Sequence, residues 1–336
     1  MLRLAIIGFG TVGGGFTEIL AAHPDLDMRV VAVSDLLKGA VYHPDGLDLK
    51  ALLAASRDLN TYPDQPGLVR GLDALKTIAE TNANAIVEAS FTDLKTGEPA
   101  ISHVRAAFMA GKHAIITNKG PVALAYRELA DLAKAHNVYF GYEGTVMSGT
   151  PSLRLARVAL QGCVIKSAKG ILNGTTNYIL TQMEAGNAYA EALAEAQRAG
   201  YAEADPTGDV EGFDAAGKLV ILANTIFGVS LRMEDVDRTG IMGLTPVDIE
   251  AARKEGERWK LIAQVIRTQE GIVASVKPTR LRYADPLAGV GGVTNAVTFD
   301  TDLLGPVTLI GPGAGRTQTG FAVLSDLLEL QRDFDV

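Results

Sequence analysis

A chain of 336 residues, 47% hydrophobic and 21% charged, has the composition of a globular protein of one large or two ordinary domains and needs no disulfide staple to bury its core. Its net charge of −8 and isoelectric point near 5.2 exclude the basic stripe with which a nucleic-acid binder neutralises phosphates. Cys163 is the single cysteine, which rules out an internal disulfide and suits a reducing cytoplasm. No apolar run approaches the roughly 20 residues of a membrane span, and the run over 4–7 is too short for a signal peptide.

Residues 2–7 read Leu-Arg-Leu-Ala-Ile-Ile, a short buried strand by length and branching. Gly8-Phe9-Gly10-Thr11-Val12-Gly13 follows, and then a helical pattern as far as Leu20. G-x-G-x-x-G between a strand and a helix is a dinucleotide-binding fingerprint. The glycines permit a tight turn, close approach of backbone to a pyrophosphate, and helix–strand packing. The helix start offers free N–H groups and a positive dipole end to the phosphates. Gly8, Gly10, Thr11, Val12 and Gly13 are therefore candidate cofactor contacts. A second strand over 29–33 ends at Ser34-Asp35, roughly 20 residues past Gly13, where an acid holds the adenosine ribose 2′-hydroxyl. Lys38 stands close enough to meet a 2′-phosphate, so NAD and NADP both remain open at this stage. The alternative is a purely structural glycine turn; a P-loop would need a Lys-Ser or Lys-Thr pair that does not follow.

Residues 42–64 are polar, contain Pro44, Gly46 and Pro63, and read as an insertion over the adenine side with one short helix. Strands are expected over 85–90, 113–117 and 138–142, with helices over 97–111 and 123–136. Ligands of an open parallel sheet lie beyond the carboxyl ends of its strands. That rule singles out Ser90, Thr92, Asn118, Lys119 and Glu143. Lys119 is either a solvated lysine at a helix start or a functional one, in a loop fixed by glycine and proline. The loop 143–151 offers a carboxylate and several carbonyl oxygens, a set suited to a hard cation, and it also reads as a hinge.

From about Ser152 the texture becomes α+β. A strand over 164–172 runs through Asn173-Gly-Thr-Thr-Asn177 into a helix, and two more helices are expected before residue 200. Strand candidates follow at 259–266, 272–276, 295–299 and 306–310. A glycine loop over 311–315 then introduces a last helix over 319–330, which suggests that the chain returns to the nucleotide site. The expected layout is a Rossmann-type doubly wound parallel sheet over 1–147 and 311–336, with a second α+β domain over 148–310.

Between Gly200 and Asn224 stand Glu203, Asp205, Asp209, Glu211, Asp214 and Lys218. Pro206, Gly208 and Gly212 are expected to exclude regular structure from the first half of this stretch. From Phe213 the pattern is helical, with Leu219, Ile221, Leu222 and Ile226 on the buried side, and Asp214 and Lys218 share one face at i, i+4. Such a pair alone is a surface salt bridge worth a few tenths of a kcal/mol. At the mouth of an apolar helix, below an acidic loop, it would also hold a small cationic or polar substrate against a proton-transferring group.

With these pieces in place the chain resembles homoserine dehydrogenase nearly end to end. The likeness rests on 8–13, Thr117-Asn118-Lys119-Gly120-Pro121, 143–151, 170–179, 200–218 and Gly313-Ala314-Gly315. Residues 200–218 match the family signature G-Y-x-E-x-D-P-x-x-D-x-x-G-x-D-x-x-x-K at every fixed position. The resemblance implies interconversion of L-homoserine and L-aspartate 4-semialdehyde with NAD or NADP, in threonine, methionine and isoleucine biosynthesis. It implies a cytoplasmic homodimer formed through the second domain, with no nucleic-acid or membrane partner. Lys218 would be the acid/base, assisted by Lys119 and Asp214. Glu203, Asp209, Asp214 and Lys119 would form the substrate pocket. Lys119, Ser90, Thr92 and Gly315 would join the cofactor contacts, and Glu143, Val146, Ser148 and Thr150 match a sodium site. Many members carry an ACT domain or a fused aspartate kinase; the sequence ends at Val336, so neither, and no threonine site of theirs, is expected.

The implied chemistry is consistent with the residues. Hydride leaves the alcohol carbon for nicotinamide C4, and the hydroxyl proton goes to a base. A lysine serves only as the neutral amine, a form favoured by burial and a second cation and opposed by carboxylates. Two other readings compete. Another amino-acid or semialdehyde dehydrogenase on the same plan is disfavoured by 173–177 combined with 203–218. A non-catalytic dinucleotide sensor would lose the proton-transfer group, yet Lys119, Glu203, Asp214 and Lys218 are all present.

Overall fold

The computed structural model describes residues 1–334 and divides into two compact units, Met1–Gly149 with Gly315–Val336, and Thr150–Ala314. The divisions lie a few residues beyond the expected boundaries.

In the first unit the chain runs β1 (Leu2–Ile7), α1 (Thr11–Ala22), β2 (Met28–Asp35), β3 (Gly39–Tyr42), α2 (Leu49–Ala54), β4 (Val69–Arg70), α3 (Ala74–Glu80), β5 (Ala85–Glu88), α4 (Ala100–Met109), β6 (His113–Ile116), α5 (Lys119–Ala135) and β7 (Phe140–Gly141). The sheet order is β4-β3-β2-β1-β5-β6-β7. Strands β2, β1, β5, β6 and β7 pair in parallel. The run Leu2–Ile7 is almost wholly buried because helices cover both faces of such a sheet. From β1 the chain goes first to β2 on one side and later to β5 on the other, so a topological switch point lies between β1 and β5.

The polar stretch after β2 holds more structure than expected. It contains the antiparallel edge strands β3 and β4, helix α2 and a 3-10 turn at Leu59–Thr61. These strands are too short for a periodic signal; Val41 and Leu59 are the apolar anchors that seat them. Helix α5 starts at Lys119 rather than 123, because Asn118 caps it by accepting from Gly120 N at 3.0 Å. Pro121 is tolerated in this first turn, where its missing N–H costs nothing.

The second unit runs α6 (Ser152–Arg154), which continues as a π turn (Leu155–Ala159), then β8 (Ile165–Ile171), α7 (Gly174–Glu184), α8 (Tyr189–Arg198), α9 (Thr207–Val210), α10 (Phe213–Ile226), β9 (Asp237–Arg238), α11 (Pro246–Lys254), β10 (Glu257–Thr268), β11 (Gly271–Arg282), β12 (Thr294–Thr301) and β13 (Gly305–Pro312). Its sheet has the order β13-β12-β8-β10-β11-β9, antiparallel except between β11 and β9. One helix, not two, separates α7 from residue 200. Residues 207–210 form a helical turn where none was expected, with Pro206 at its N-cap. Helix α11 was also not expected; Thr245 and Asp248 close a capping box around its start. Gly311 and Pro312 belong to β13 rather than to a loop.

The chain re-enters the first unit as α12 (Arg316–Asp333), which packs on α1. A Cβ on Gly14 would lie 2.6 Å from the Arg316 guanidinium, and one on Gly320 would lie 2.8 Å from Phe16 N. Arg316 also forms a two-pronged ion pair with Glu18, 2.9 Å on each prong. Of the glycines after position 12, Gly13 belongs to the nucleotide motif, and Gly14 and Gly15 make room for α12.

Two glycines of the motif separate strain from open space. Gly8 has φ +92°, and a Cβ there would lie 2.5 Å from Ala89 O and 2.7 Å from Ser90 N; a Cβ on Gly10 would meet nothing within 4 Å. Gly8→Ala is therefore expected to cost about 1–3 kcal/mol in chemical denaturation of the cofactor-free protein. Gly10→Ala should stay within about 0.5 kcal/mol of wild type. Equal losses at the two positions would refute this account of the turn.

Candidate active site

In the first unit the candidate cofactor residues gather at the carboxyl ends of β1, β2 and β5. Helix α1 opens at Thr11 with Gly10 as its cap and no side-chain cap. A free helix start above open space at Gly10 fits a pyrophosphate. Asp35 ends β2 and is fixed to the glycine turn: its Oδ2 accepts from Phe9 N at 2.8 Å and its Oδ1 from Leu37 N at 3.0 Å. Lys38 reaches the same turn, its Nζ donating to Phe9 O at 2.5 Å. Between them Leu36 and Leu37 are 89% and 91% exposed.

Beyond β5, the Ser90 hydroxyl donates inward to Glu88 Oε1, which also meets His103 Nδ1 at 3.2 Å. Thr92 is exposed. Asn118 ties the ends of β5 and β6, its Nδ2 donating to Phe91 O at 2.7 Å, and so sets where Lys119 begins α5. Glu143 and Val146 are buried around a 3-10 turn, followed by Met147 and Ser148 at φ +57° and +54°. Glu143 N donates to Asp326 Oδ2 at 3.0 Å, and the hydroxyls of Ser148 and Thr319 are 2.7 Å apart. Carboxylate, carbonyl and hydroxyl oxygens are the donor types a hard cation takes; among the described residues no group of three or more His, Cys, Asp or Glu side chains could hold a metal ion. Thr150 opens the second unit, where its Oγ1 donates to Pro312 O at 2.9 Å.

In the second unit β8 gives way to α7 at Leu172 and Asn173. Asn173 caps α7 through Oδ1, which accepts from Thr176 N and Thr176 Oγ1 at 2.9 Å each. Its Nδ2 donates to Asp209 Oδ1 at 2.6 Å and to Asp214 Oδ2 at 3.0 Å. Lys218 Nζ donates to the same Asp214 oxygen and to Leu172 O, both at 2.7 Å. Helix α9 carries Asp209, a left-handed Gly212 at φ +82° turns the chain, and α10 presents Asp214 and Lys218 one turn apart. Lys218 is 9% exposed. Burial pushes the Asp209 carboxyl up; the Asn173 hydrogen bond opposes this, the Asp214 charge reinforces it, and Thr175 and Lys218 oppose it.

The other acids of the stretch have different places. Glu203 is exposed on the loop before α9, where Gln197 Nε2 donates to its backbone carbonyl at 3.0 Å; its carboxylate is not part of the hydrogen-bonded cluster. Asp205 closes a turn, and hydrogen bonds from Thr207 hold its carboxyl below the ordinary range. Glu211 faces Arg238 at 3.6 Å. The bridging amide of Asn173 and the carbonyl of Leu172 are the members that sequence reasoning missed. An asparagine before a helix start is a visible cap signal, but nothing in it says which acids the spare amide meets. Asn295 was also missed: it is fully buried beside Gly174 and Gly313, and its amide atoms have no hydrogen-bond partner among the described residues.

Residues 8–143 match the family model described as the homoserine dehydrogenase NAD-binding domain, and residues 151–328 match the model described as homoserine dehydrogenase. The chain belongs to the homoserine dehydrogenase family. An NAD(+)-dependent homoserine dehydrogenase of Pseudomonas canavaninivorans is 46% identical, with 98% of this chain and 96% of that one covered. The homoserine dehydrogenase of Methanocaldococcus jannaschii is 40% identical, with 98% of each covered. Among solved structures, a homoserine dehydrogenase from Thiobacillus denitrificans superposes with a TM-score of 0.85 at 33% identity over 98% of this chain and 73% of that one. A hyperthermophilic archaeal homoserine dehydrogenase in complex with NADPH gives 0.86 at 30% identity over 99% and 98%. As a member of the family the chain is an NAD(P)-dependent oxidoreductase with a small-molecule substrate. Among the described residues no helix is long and apolar enough to cross a membrane.

The raised Asp209 carboxyl has a consequence for stability. Below the ordinary aspartate value of 3.8 the group is protonated whether the chain is folded or not, and its burial carries no charge penalty. As pH rises from 3.8 through the higher folded value, the unfolded state loses its proton first and the native state is progressively disfavoured. Asp209→Asn removes that term. The Tm of the variant relative to wild type should therefore rise across this window and level off above it, as followed by thermal melts from pH 3 to 8. A difference independent of pH would contradict the burial argument.

Proposed function

We propose that the chain interconverts L-homoserine and L-aspartate 4-semialdehyde with Lys218 as the acid/base, and that NAD is the preferred cofactor. The observation that carries the chemistry is the shared oxygen of Asp214, which with Leu172 O fixes Lys218 at the start of α10. An ammonium has three N–H groups. Two are committed to these acceptors, and the third is left for the substrate oxygen. Lys218 gives that proton to the forming alkoxide in reduction and takes the hydroxyl proton in oxidation. The bound nicotinamide supplies or accepts the hydride. Asp214 and Glu203 serve the ammonium group that distinguishes an amino-acid substrate from a simple alcohol, and Asp209 organises the pocket. Lys119, with Ser90, Thr92 and Gly315, would act on the cofactor, and its charge would assist the proton transfer.

The NAD preference rests on Asp35. Its carboxylate is held against the glycine turn, where it suits a ribose 2′-hydroxyl and repels a 2′-phosphate. Lys38, the nearby cation, is spent on Phe9 O, and exposed leucines stand between. The Pseudomonas canavaninivorans relative is named NAD(+)-dependent, and the archaeal structure holds NADPH, so both cofactors occur in the family. The first unit would then be the dinucleotide-binding domain and the second the substrate-binding, catalytic and dimerisation domain. Sodium at Glu143, Val146, Ser148 and Thr150 is supported by the donor chemistry. A homodimer is supported by the half-buried row Thr298, Lys169, Gln264 and Ser275, which crosses four strands in register on one sheet face. The threonine, methionine and isoleucine biosynthetic route, in the cytoplasm, would be the setting of this reaction.

The test is L-homoserine oxidation at alkaline pH with each cofactor, for wild type and Lys218→Ala. Lys218→Ala should lower kcat by about 100- to 10,000-fold while NAD still binds. Wild type should favour NAD over NADP in kcat/KM by about tenfold or more, and Asp35→Ser should narrow that gap. Wild type that binds NAD yet does not turn over would sink the assignment.

A further inference from the structure

Two carboxylates at one half-buried point repel each other. They coexist when a cation, a shared proton or a neutral donor lies between them. Here the group between Asp209 and Asp214 is the Asn173 amide, whose Nδ2 reaches Asp209 Oδ1 at 2.6 Å and Asp214 Oδ2 at 3.0 Å. A primary amide nitrogen carries two N–H groups, so each acid takes one. The Oδ1 end is occupied by Thr176 N and Thr176 Oγ1, which fixes the orientation: a flipped amide would turn an acceptor to both acids and a donor to the helix start.

We infer that Asn173 is a positioning residue of the active site: its single amide group holds Asp209 beside Asp214 and sets the Asp214 oxygen that meets Lys218. This rests on the function proposed above. The acceptor that Lys218 uses on Asp214 is the atom Asn173 also binds, so the asparagine determines where that oxygen lies without adding charge. The neighbouring Leu172 carbonyl takes another Lys218 N–H. One dipeptide at the junction of β8 and α7 thereby touches α9 through Asp209 and α10 through Asp214 and Lys218. A positively charged bridge would compete with the substrate's ammonium for these acids and repel it; the neutral amide adds no charge of its own.

Capping of α7 is the competing explanation, and it can be separated from positioning. Aspartate and serine cap a helix about as well as asparagine. If capping is the whole role, Asn173→Asp and Asn173→Ser leave Tm and kinetics near wild type. If Asn173 positions the acids, Asn173→Asp places a third carboxylate against two others and lowers Tm. Adding Asp209→Asn to that variant then recovers most of the loss, so the two changes are non-additive. Asn173→Ser adds no charge and keeps the cap, and it covers the case in which Asn173→Asp fails to fold. Both single variants should lose about 10- to 100-fold in kcat/KM for L-homoserine, the scale of hydrogen bonds to charged groups, with the Kd for NAD unchanged by fluorescence titration. Additive Tm changes with kcat/KM within threefold of wild type would overturn the inference. A non-additive Tm cycle in a protein that never oxidises L-homoserine would uphold the bridge and reject the substrate instead.

Discussion

The Lys218 ammonium is nine-tenths buried, and an ion in that position survives only where its N–H groups find acceptors. Both acceptors come from defined places: a backbone carbonyl just past β8, and a carboxylate one turn earlier on α10. The first ties the lysine to the middle of a sheet, since β8 lies between β12 and β10. The second ties it to a helix that is buried from Ala215 to Asn224 and, Lys218 and Asn224 aside, apolar over that span. The charged group is therefore located by an inner strand and a buried helix of its unit. The acid that completes the cluster, Asp209, arrives on the short α9, and the left-handed turn at Gly212 lets that segment fold back upon α10.

The first unit obeys a different constraint, the closeness of backbone to backbone. Gly8 approaches the chain after β5, and Gly14, Gly15 and Gly320 let α12 settle against α1. A last helix that returns from the second unit is thus part of the wall behind the nucleotide motif, and the Arg316–Glu18 pair locks it there. The return was legible as a glycine loop before a helix. That α12 accounts for the second and third glycines of Gly13-Gly14-Gly15 was not, because the partner is some 300 residues away in sequence.

Legibility followed the range of the interaction. The parallel strands were visible because each is a continuous apolar run, and α10 because its charges and hydrophobes keep a 3.6 period. The i, i+4 geometry of Asp214 and Lys218 was local and was read correctly as one face. β3 and β4 escaped because strands of four and two residues have no period to detect; β3 is a strand because it pairs with β2, and β4 because it pairs with β3. Helix α9 escaped because Pro206 and Gly208 argue against helix by propensity, while tertiary contacts override propensity over a single turn. Spacing paired Asp214 with Lys218, and the resemblance set Glu203, Asp209 and Asp214 apart, but neither gave the contacts of the five carboxylates. Only the fold sorts Asp209 and Asp214 into the lysine cluster, Asp205 into a turn and Glu211 toward Arg238.

The same unit holds a second buried lysine, and comparing the two explains why one is suited to proton transfer. Lys260 on β10 is 1% exposed, and burial pushes its amine down from the ordinary lysine range. Its Nζ donates to Asn177 Oδ1 at 3.1 Å and to Val290 O at 2.8 Å. Asn177 lies one turn beyond Asn173 on α7, and its Nδ2 donates in turn to Gly292 O at 2.9 Å. Thr181, a further turn on, accepts from Gly292 N at 3.0 Å. Asn173, Asn177 and Thr181 thus make a polar line along one helix face. Its first member fixes acids, and the next two, with Lys260, fix the chain between β11 and β12. Burial leaves the Lys260 amine more readily neutral than an ordinary lysine. It is sealed between the Asn177 amide oxygen and the Val290 carbonyl, with the Glu184 carboxylate nearby, whereas Lys218 keeps a residual exposure and donates directly to a carboxylate able to receive an ammonium. Access and a carboxylate within hydrogen-bond reach, not the degree of burial, distinguish Lys218 for the role proposed for it.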